Sequence, residues 1–115
     1  MQVSRTSYYI YILCNYKKTV YYTGMTNDLE QRIIEHYLDR GLNTSFTSKY
    51  HVYYLLYYEA FDYVDDAIAR EKEIKGWDRS KKEILIASIN PRFEFLNYEL
   101  FDEWPPKDLF HRRDL

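Results

Sequence analysis

Two runs rich in aromatic and β-branched residues, Tyr8-Tyr-Ile-Tyr-Ile-Leu-Cys14 and Thr19-Val-Tyr-Tyr-Thr-Gly-Met25, stand only four residues apart. Such runs favour extended backbone, because their side chains pack well on a pleated surface. A connection as short as Asn15-Tyr-Lys-Lys18 suits an antiparallel hairpin, since parallel strands need a long crossover. With the turn centred between Tyr16 and Lys17, paired residues sum to 33, which sets Tyr11 directly opposite Tyr22 on one face. A slip of one residue would send them to opposite faces.

After the hairpin the period changes. Thr26-Asn-Asp-Leu-Glu30 has the chemistry of a helix start, with Asn27 as N-cap, Asp28 in the first turn and Glu30 in capping-box position. The helix is expected to run to about Arg40 and end at Gly41. Its apolar stripe is Leu29, Ile33 and Tyr37, with Arg32 and His36 four apart on one flank. Residues 41–50 read as a polar loop, and Val52–Ala60 as a third strand, apolar on both faces and therefore expected at the centre of the sheet. A second helix opens at Asp62–Asp66, with Val64, Ala67, Ile68, Ile74 and Lys75 outlining its inward face. Trp77-Asp-Arg-Ser80 interrupts it, and a third helix follows from about Lys81 to Ile89, before Asn90-Pro91. The predicted order is ββαβαα, an α+β fold with a small three-stranded antiparallel sheet flanked by helices.

At 115 residues the chain is one domain. Of its 22 aromatic residues 14 are tyrosine, a side chain suited to half-wet surfaces and sites. One cysteine, Cys14, excludes an internal disulfide and fits a reducing, cytoplasmic setting. Set in an apolar strand, it reads as a buried structural thiol rather than a nucleophile. No apolar run approaches a membrane span, and Met1–Ser7 lacks the core of a signal peptide. The net charge of −2 argues at first against a nucleic-acid partner. Its distribution weakens that objection, because residues 93–115 carry six acids and three bases, leaving 13 bases against 12 acids, or +1, in residues 1–92.

Glu71 is the most informative single residue. A carboxylate on an apolar helical stripe is expensive unless it is paired or holds a metal. Lys75 one turn on, Arg70 or Lys72 could pair it; a metal is the other account. Tyr11 with Tyr22, and Arg32 with His36, are equally open to a packing or solvated-flank reading. His36 adds a group that titrates near neutrality. His51 and His111 read as ordinary surface or strand residues. Residues 70–82 hold six bases (Arg70, Lys72, Lys75, Arg79, Lys81 and Lys82) against three acids, interleaved with Trp77. This local +3 suits phosphate contact with stacking, or a solvated helix–turn–helix surface. Zinc spacings, P-loops and dinucleotide-binding glycine patterns are absent.

Taken together, these residues resemble the GIY-YIG nuclease family, in particular its short stand-alone members similar to the amino-terminal domain of excinuclease C. The two signatures stand here as Tyr9-Ile-Tyr11 and Tyr22-Thr-Gly24, followed by Arg32 and His36 on the first helix and Glu71 on the second. The late asparagine matches Asn90. The spacings of 11 from Tyr11 to Tyr22, 10 to Arg32 and 4 to His36 carry the resemblance, which spans about residues 8–96. It divides the chain into a nuclease-like domain, 1–96, and an acidic C-terminal tail, 97–115. Tyr9 and Thr23 depart from the family's glycine and isoleucine, and Met25 stands where some members have lysine.

The resemblance implies a divalent-metal-dependent endonuclease cutting DNA phosphodiester bonds, with one Mg²⁺ (or Mn²⁺) held by Glu71. Structure-specific cutting and a place in repair or recombination would be in keeping with it. Tyr11 would orient or deprotonate the attacking water, Arg32 would neutralise the phosphate, His36 and Tyr22 would position water or phosphate, and Asn90 would support the site. A phenol of pKa ~10 would need strong help from basic neighbours to serve as a base. Arg70, Lys72, Lys75, Trp77, Arg79, Lys81 and Lys82 would contact the nucleic acid. DNA is the implied partner, with RNA left open; no membrane and no nucleotide cofactor are expected. A binding module that keeps the fold without cleaving is the alternative, and a tyrosine-rich protein-interaction domain using Trp104-Pro-Pro106 is the third class.

Overall fold

A computed structural model describes residues 7–109 of the chain. The sheet holds β1 (Tyr8–Cys14), β2 (Tyr21–Thr26) and β3 (Tyr54–Phe61), all antiparallel, in the order β2-β1-β3. The helices are α1 (Leu29–Leu38), α2 (Phe46–Tyr50), α3 (Val64–Lys75), α4 (Arg79–Ile89) and α5 (Asn97–Leu100). The expected α+β architecture stands, with two short helices, α2 and α5, added to the predicted order. His111 lies outside the described residues.

The hairpin forms in a different register from the one expected. Tyr11 pairs with Gly24 and Leu13 with Tyr22, so partners sum to 35 rather than 33. The cause is Asn15, whose Oδ1 accepts from the backbone of Thr19 at 2.8 Å and Val20 at 3.1 Å. Lys18 absorbs the tight bend at a φ of 59°. These bonds move the turn centre one residue on. A shift of two in the sum of partners offsets each pair by two residues, so Tyr11 and Tyr22 remain on one face.

β1, not β3, is central. Its odd residues Tyr11 and Leu13 enter a core with Leu29, Ile33 and Ile34 of α1, together with Leu55, Leu96 and Phe101. Its even residues Ile10, Ile12 and Cys14 enter a second core with Ala67 and Ile74 of α3 and Ile86 of α4. Cys14 is a buried free thiol, as expected, and burial pushes it up to about 12. β3 reads as a central strand because Leu55, Leu56 and Tyr57 are buried in succession, although Tyr58 and Ala60 further along are exposed, and side chains stand in for a fourth strand along part of its free edge. Asn97 accepts from the Leu55 amide at 2.6 Å and donates to the Tyr53 carbonyl at 3.0 Å. Asn90 donates to the Leu56 carbonyl at 3.0 Å, and the Leu96 amide to that of Leu55 at 2.8 Å.

Helix ends differ from expectation by a residue or two. Asp28, not Asn27, caps α1, accepting from the Gln31 amide at 3.1 Å. That offset makes Leu29 the first helical residue and buries it. On α3 only Ala67 and Ile74 are fully buried; Val64 and Lys75, expected on the inward face, are exposed. Trp77-Asp-Arg-Ser80 restarts the helix rather than merely breaking it, because Asp78 caps α4 by accepting from Lys81.

Candidate active site

Gly24 fixes the centre of the site. A Cβ there would stand 2.5 Å from both Cζ and the hydroxyl of Tyr11, so the tyrosine ring occupies the space a side chain would need. The ring thus runs from the central strand across β2. Its hydroxyl lies 3.1 Å from Nε2 of His36 on α1, and the other ring nitrogen, Nδ1, lies 3.1 Å from the hydroxyl of Thr47. Tyr22 completes the group, its ring centroid 6.3 Å from that of Tyr11 and 5.7 Å from that of His36.

Burial dominates the electrostatics. Desolvation pushes the Tyr11 phenol up to about 12, with further pressure from Tyr22; Arg32 pulls it back, and Glu71 adds to the rise. The same burial, reinforced by the charge of Arg32, lowers His36 to about 4. Both groups are neutral at pH 7. The basic neighbours that a phenolate would need are therefore outweighed. Arg32 donates to Glu35 at 3.0 Å and remains partly exposed.

Glu71 lies close enough to act on Tyr11 electrostatically, and its half-buried carboxylate faces Lys75 at 3.5 Å. The Lys75 ammonium in turn stands 6.0 Å from the Tyr22 ring centroid. The fold therefore brings together Tyr11, Tyr22, Arg32, His36, Glu71 and Lys75. Asn90 is not among them. Its amide is taken up by the Leu56 and Glu94 carbonyls and the Glu94 amide, all at 3.0 Å, at the far end of α4.

The basic segment divides in two. Arg70 is held by Glu59 at 2.9 Å and by Glu73, and its guanidinium lies over Trp77. Trp77 also carries Lys81 on its ring and packs on the second core, so its faces are occupied from within. Arg79 clamps the hairpin loop through the carbonyls of Lys18 at 2.6 Å and Thr19 at 2.9 Å. Lys72 and Lys75 are exposed, and Lys82 is half-buried. Trp104 is likewise used inside, packed against Tyr37 and Phe101.

Sequence reasoning missed Thr47, because 41–50 read as a loop. The available cue was Ser45, whose hydroxyl caps α2 by accepting from Ser48.

Comparison with known proteins matches residues 7–83 to the GIY-YIG catalytic domain. The chain belongs to the GIY-YIG family. Curated relatives are short like it. A UPF0213 protein of Natronomonas pharaonis is 39% identical over 80 residues, covering 70% of this chain and 91% of that protein. One from Clostridium perfringens is 38% identical over 91 residues, covering 79% and 92%. The solution NMR structure of a UPF0213 protein from Bacillus halodurans is 31% identical, with a TM-score of 0.49, covering 76% of this chain and 90% of that one. The GIY-YIG assignment places the protein in a nuclease-type family. Among the described residues no helix is long and apolar enough to cross a membrane.

Proposed function

We propose that this GIY-YIG protein is a divalent-metal-dependent endonuclease that hydrolyses phosphodiester bonds in DNA. The observation that carries the reading is the Tyr11 hydroxyl, buried yet hydrogen-bonded to His36 and within the fields of Arg32 and Glu71. A purely structural tyrosine would not need a cationic and an anionic neighbour.

The donor set fits one hard ion that keeps most of its water. Among the described residues no group of three or more His, Cys, Asp or Glu is placed to hold a metal, which argues against a cage. A single carboxylate, Glu71, suits Mg²⁺ or Mn²⁺, since such ions commonly take one or two carboxylates plus substrate oxygens. A bound ion would supply charge stabilisation at the phosphate and leaving oxygen. Arg32 matches the phosphate through its forked donors. In the tautomer with the proton on Nδ1, donated to Thr47, the His36 Nε2 accepts from the Tyr11 hydroxyl, whose oxygen keeps its lone pairs for the Arg32 guanidinium and for a water. Tyr11 so placed orients the nucleophile rather than carrying a charge of its own. Tyr22 lines the same space.

Replacing Glu71 by Ala tests this. Mg²⁺-dependent cleavage of branched or nicked DNA should be lost while the fold is kept; unchanged cleavage overturns the assignment. A second reading has its own support. With Tyr11 and His36 both held neutral, the fold could bind DNA without turnover. Wild-type protein that binds but never cuts, across metals and substrate structures, would select it.

A further inference from the structure

Helix α2 is built inside out. Its inward residues are Thr47 and Ser48, both buried. The Thr47 hydroxyl meets His36, while Ser48 donates to the Asp39 carbonyl at 2.6 Å and accepts from the Asn43 amide at 3.1 Å. Its outward residues are Phe46, Lys49 and Tyr50, with the two aromatics 45% and 43% exposed. An amphipathic helix ordinarily does the reverse. Hydroxyl hydrogen bonds dock this helix, which leaves two large aromatic side chains close to half exposed beside the site.

Those faces are also aligned. Phe46 stacks on Tyr22, at 6.3 Å between centroids and 27° between planes, and Tyr50 follows at 5.0 Å from Phe46. Tyr22 itself neighbours Tyr11. A row of rings therefore leads outward from the Tyr11 hydroxyl to solvent. Two cations stand along the row: Lys75, which also faces Glu71, 6.0 Å from the Tyr22 centroid, and Lys49 5.4 Å from that of Tyr50 at the outer end.

We propose that Phe46 and Tyr50 form a stacking platform for unpaired bases, so that the substrate is DNA with a single-stranded stretch next to the cut rather than continuous duplex. Bases inside a duplex have both faces covered by their neighbours, whereas an unpaired base offers a π-face whatever its identity. Lys49 and Lys75 supply the charge that such a strand's phosphates require. The proposal rests on the endonuclease reading only for where the cut falls; the stacking does not depend on it.

The test is equilibrium binding in EDTA, by fluorescence anisotropy, of a labelled single-stranded oligonucleotide and of the blunt duplex of the same sequence. Wild-type protein should bind the single strand more tightly. The Phe46→Ala and Tyr50→Ala double variant should lose about 5- to 150-fold on the single strand per lost stack, with little change on the duplex at temperatures where its melting profile shows it folded. An abasic site in the bound stretch should weaken wild-type protein but add little to the double variant. Equal affinity for the two DNAs, or single-strand binding that survives the double substitution, overturns the platform. Cleavage assays separate the two readings. Absence of Mg²⁺-dependent cutting on every substrate, with this binding pattern intact, removes the endonuclease and keeps the platform. Blunt duplex cut as fast as single strand, by wild type and double variant alike, does the opposite.

Discussion

The Tyr11 hydroxyl and Nε2 of His36 are 3.1 Å apart, linking the central strand to the first helix through two groups that burial keeps uncharged. Neither group can be charged without cost, and that makes the pair visible in stability as well as in chemistry.

The pH dependence follows from His36. Its pKa falls from 6.5 to about 4 on folding. The unfolded chain therefore binds the extra proton first, and stability present above pH 6.5 is lost as the pH falls through the window from 6.5 to 4. The loss from this one group should reach about 3 kcal/mol at the bottom of that window. Carboxylates titrate there too, so the comparison is with His36→Gln, which keeps hydrogen-bonding capacity but does not titrate. Urea unfolding at several pH values should give the wild type the steeper acid decline. Parallel declines would mean that His36 is hydrated and free to charge.

Gly24→Ala tests the crossing of Tyr11 over β2. The added methyl has no room unless the ring moves, and overpacking of this kind costs about 1–3 kcal/mol. Since the phenolic oxygen lies against the same point, the Tyr11–His36 hydrogen bond should be disturbed as well. Cleavage, where present, should fall further than the stability change explains. A crystal structure of the variant with Tyr11 unmoved would refute this.

Much of this arrangement is legible in the sequence, and the failures have local causes. The spacings of Tyr11, Tyr22, Arg32, His36 and Glu71 mark the cluster through the resemblance to the GIY-YIG family, whereas strand and helix periods alone place only Tyr11 with Tyr22 on one hairpin face and Arg32 with His36 on one helix flank. The pairing register escapes the pattern because Asn15 draws the turn one residue on through side-chain bonds that no hydrophobic period encodes. β3 passes for a central strand because Asn90 and Asn97 cover its edge, which removes the usual mark of an edge strand. Helix α2 is hidden because its buried face is polar. Arg70, Arg79 and Trp77 look available to DNA only while their partners Glu59, the Lys18–Thr19 carbonyls and the second core are unseen.

The divided basic segment makes opposite predictions for two neighbouring residues. Arg70→Ala removes the partner of a half-buried Glu59 and the cover of Trp77, so it should cost roughly 1–2 kcal/mol of stability. DNA affinity should change little at temperatures where the variant is folded. Lys72→Ala should leave the melting temperature in place and lower the salt dependence of DNA binding by about one unit of slope, as expected for one lost phosphate contact. Thermal melts and salt titrations of both variants check this; the reverse pattern would return Arg70 to the DNA-binding surface.

Thr23 carries a buried hydroxyl without a hydrogen-bond partner, on the face of β2 opposite Tyr22. A hydroxyl taken out of water and left unbonded costs on the order of 1–3 kcal/mol. Thr23→Val keeps the shape and removes the unmet group. Stability should rise by about 1 kcal/mol, read as a higher urea midpoint with an unchanged slope. A fall would indicate that the hydroxyl finds a partner in solution.

Asn97 tests where the folded body ends. Its side chain satisfies the Leu55 amide and the Tyr53 carbonyl at once, and it is fully buried. Asn97→Ala leaves both backbone groups at the edge of β3 unmet, and opens a small void beside Leu96 and Phe101. The combined loss should be about 1–3 kcal/mol, the range for one stranded buried amide, since the Tyr53 carbonyl is only partly buried. Hydrogen exchange offers the sharper readout, because the Leu55 amide should lose protection by more than the change in global stability explains. If that amide stays protected while stability barely moves, the segment after Leu96 is an appendage and the edge of β3 is closed by something else.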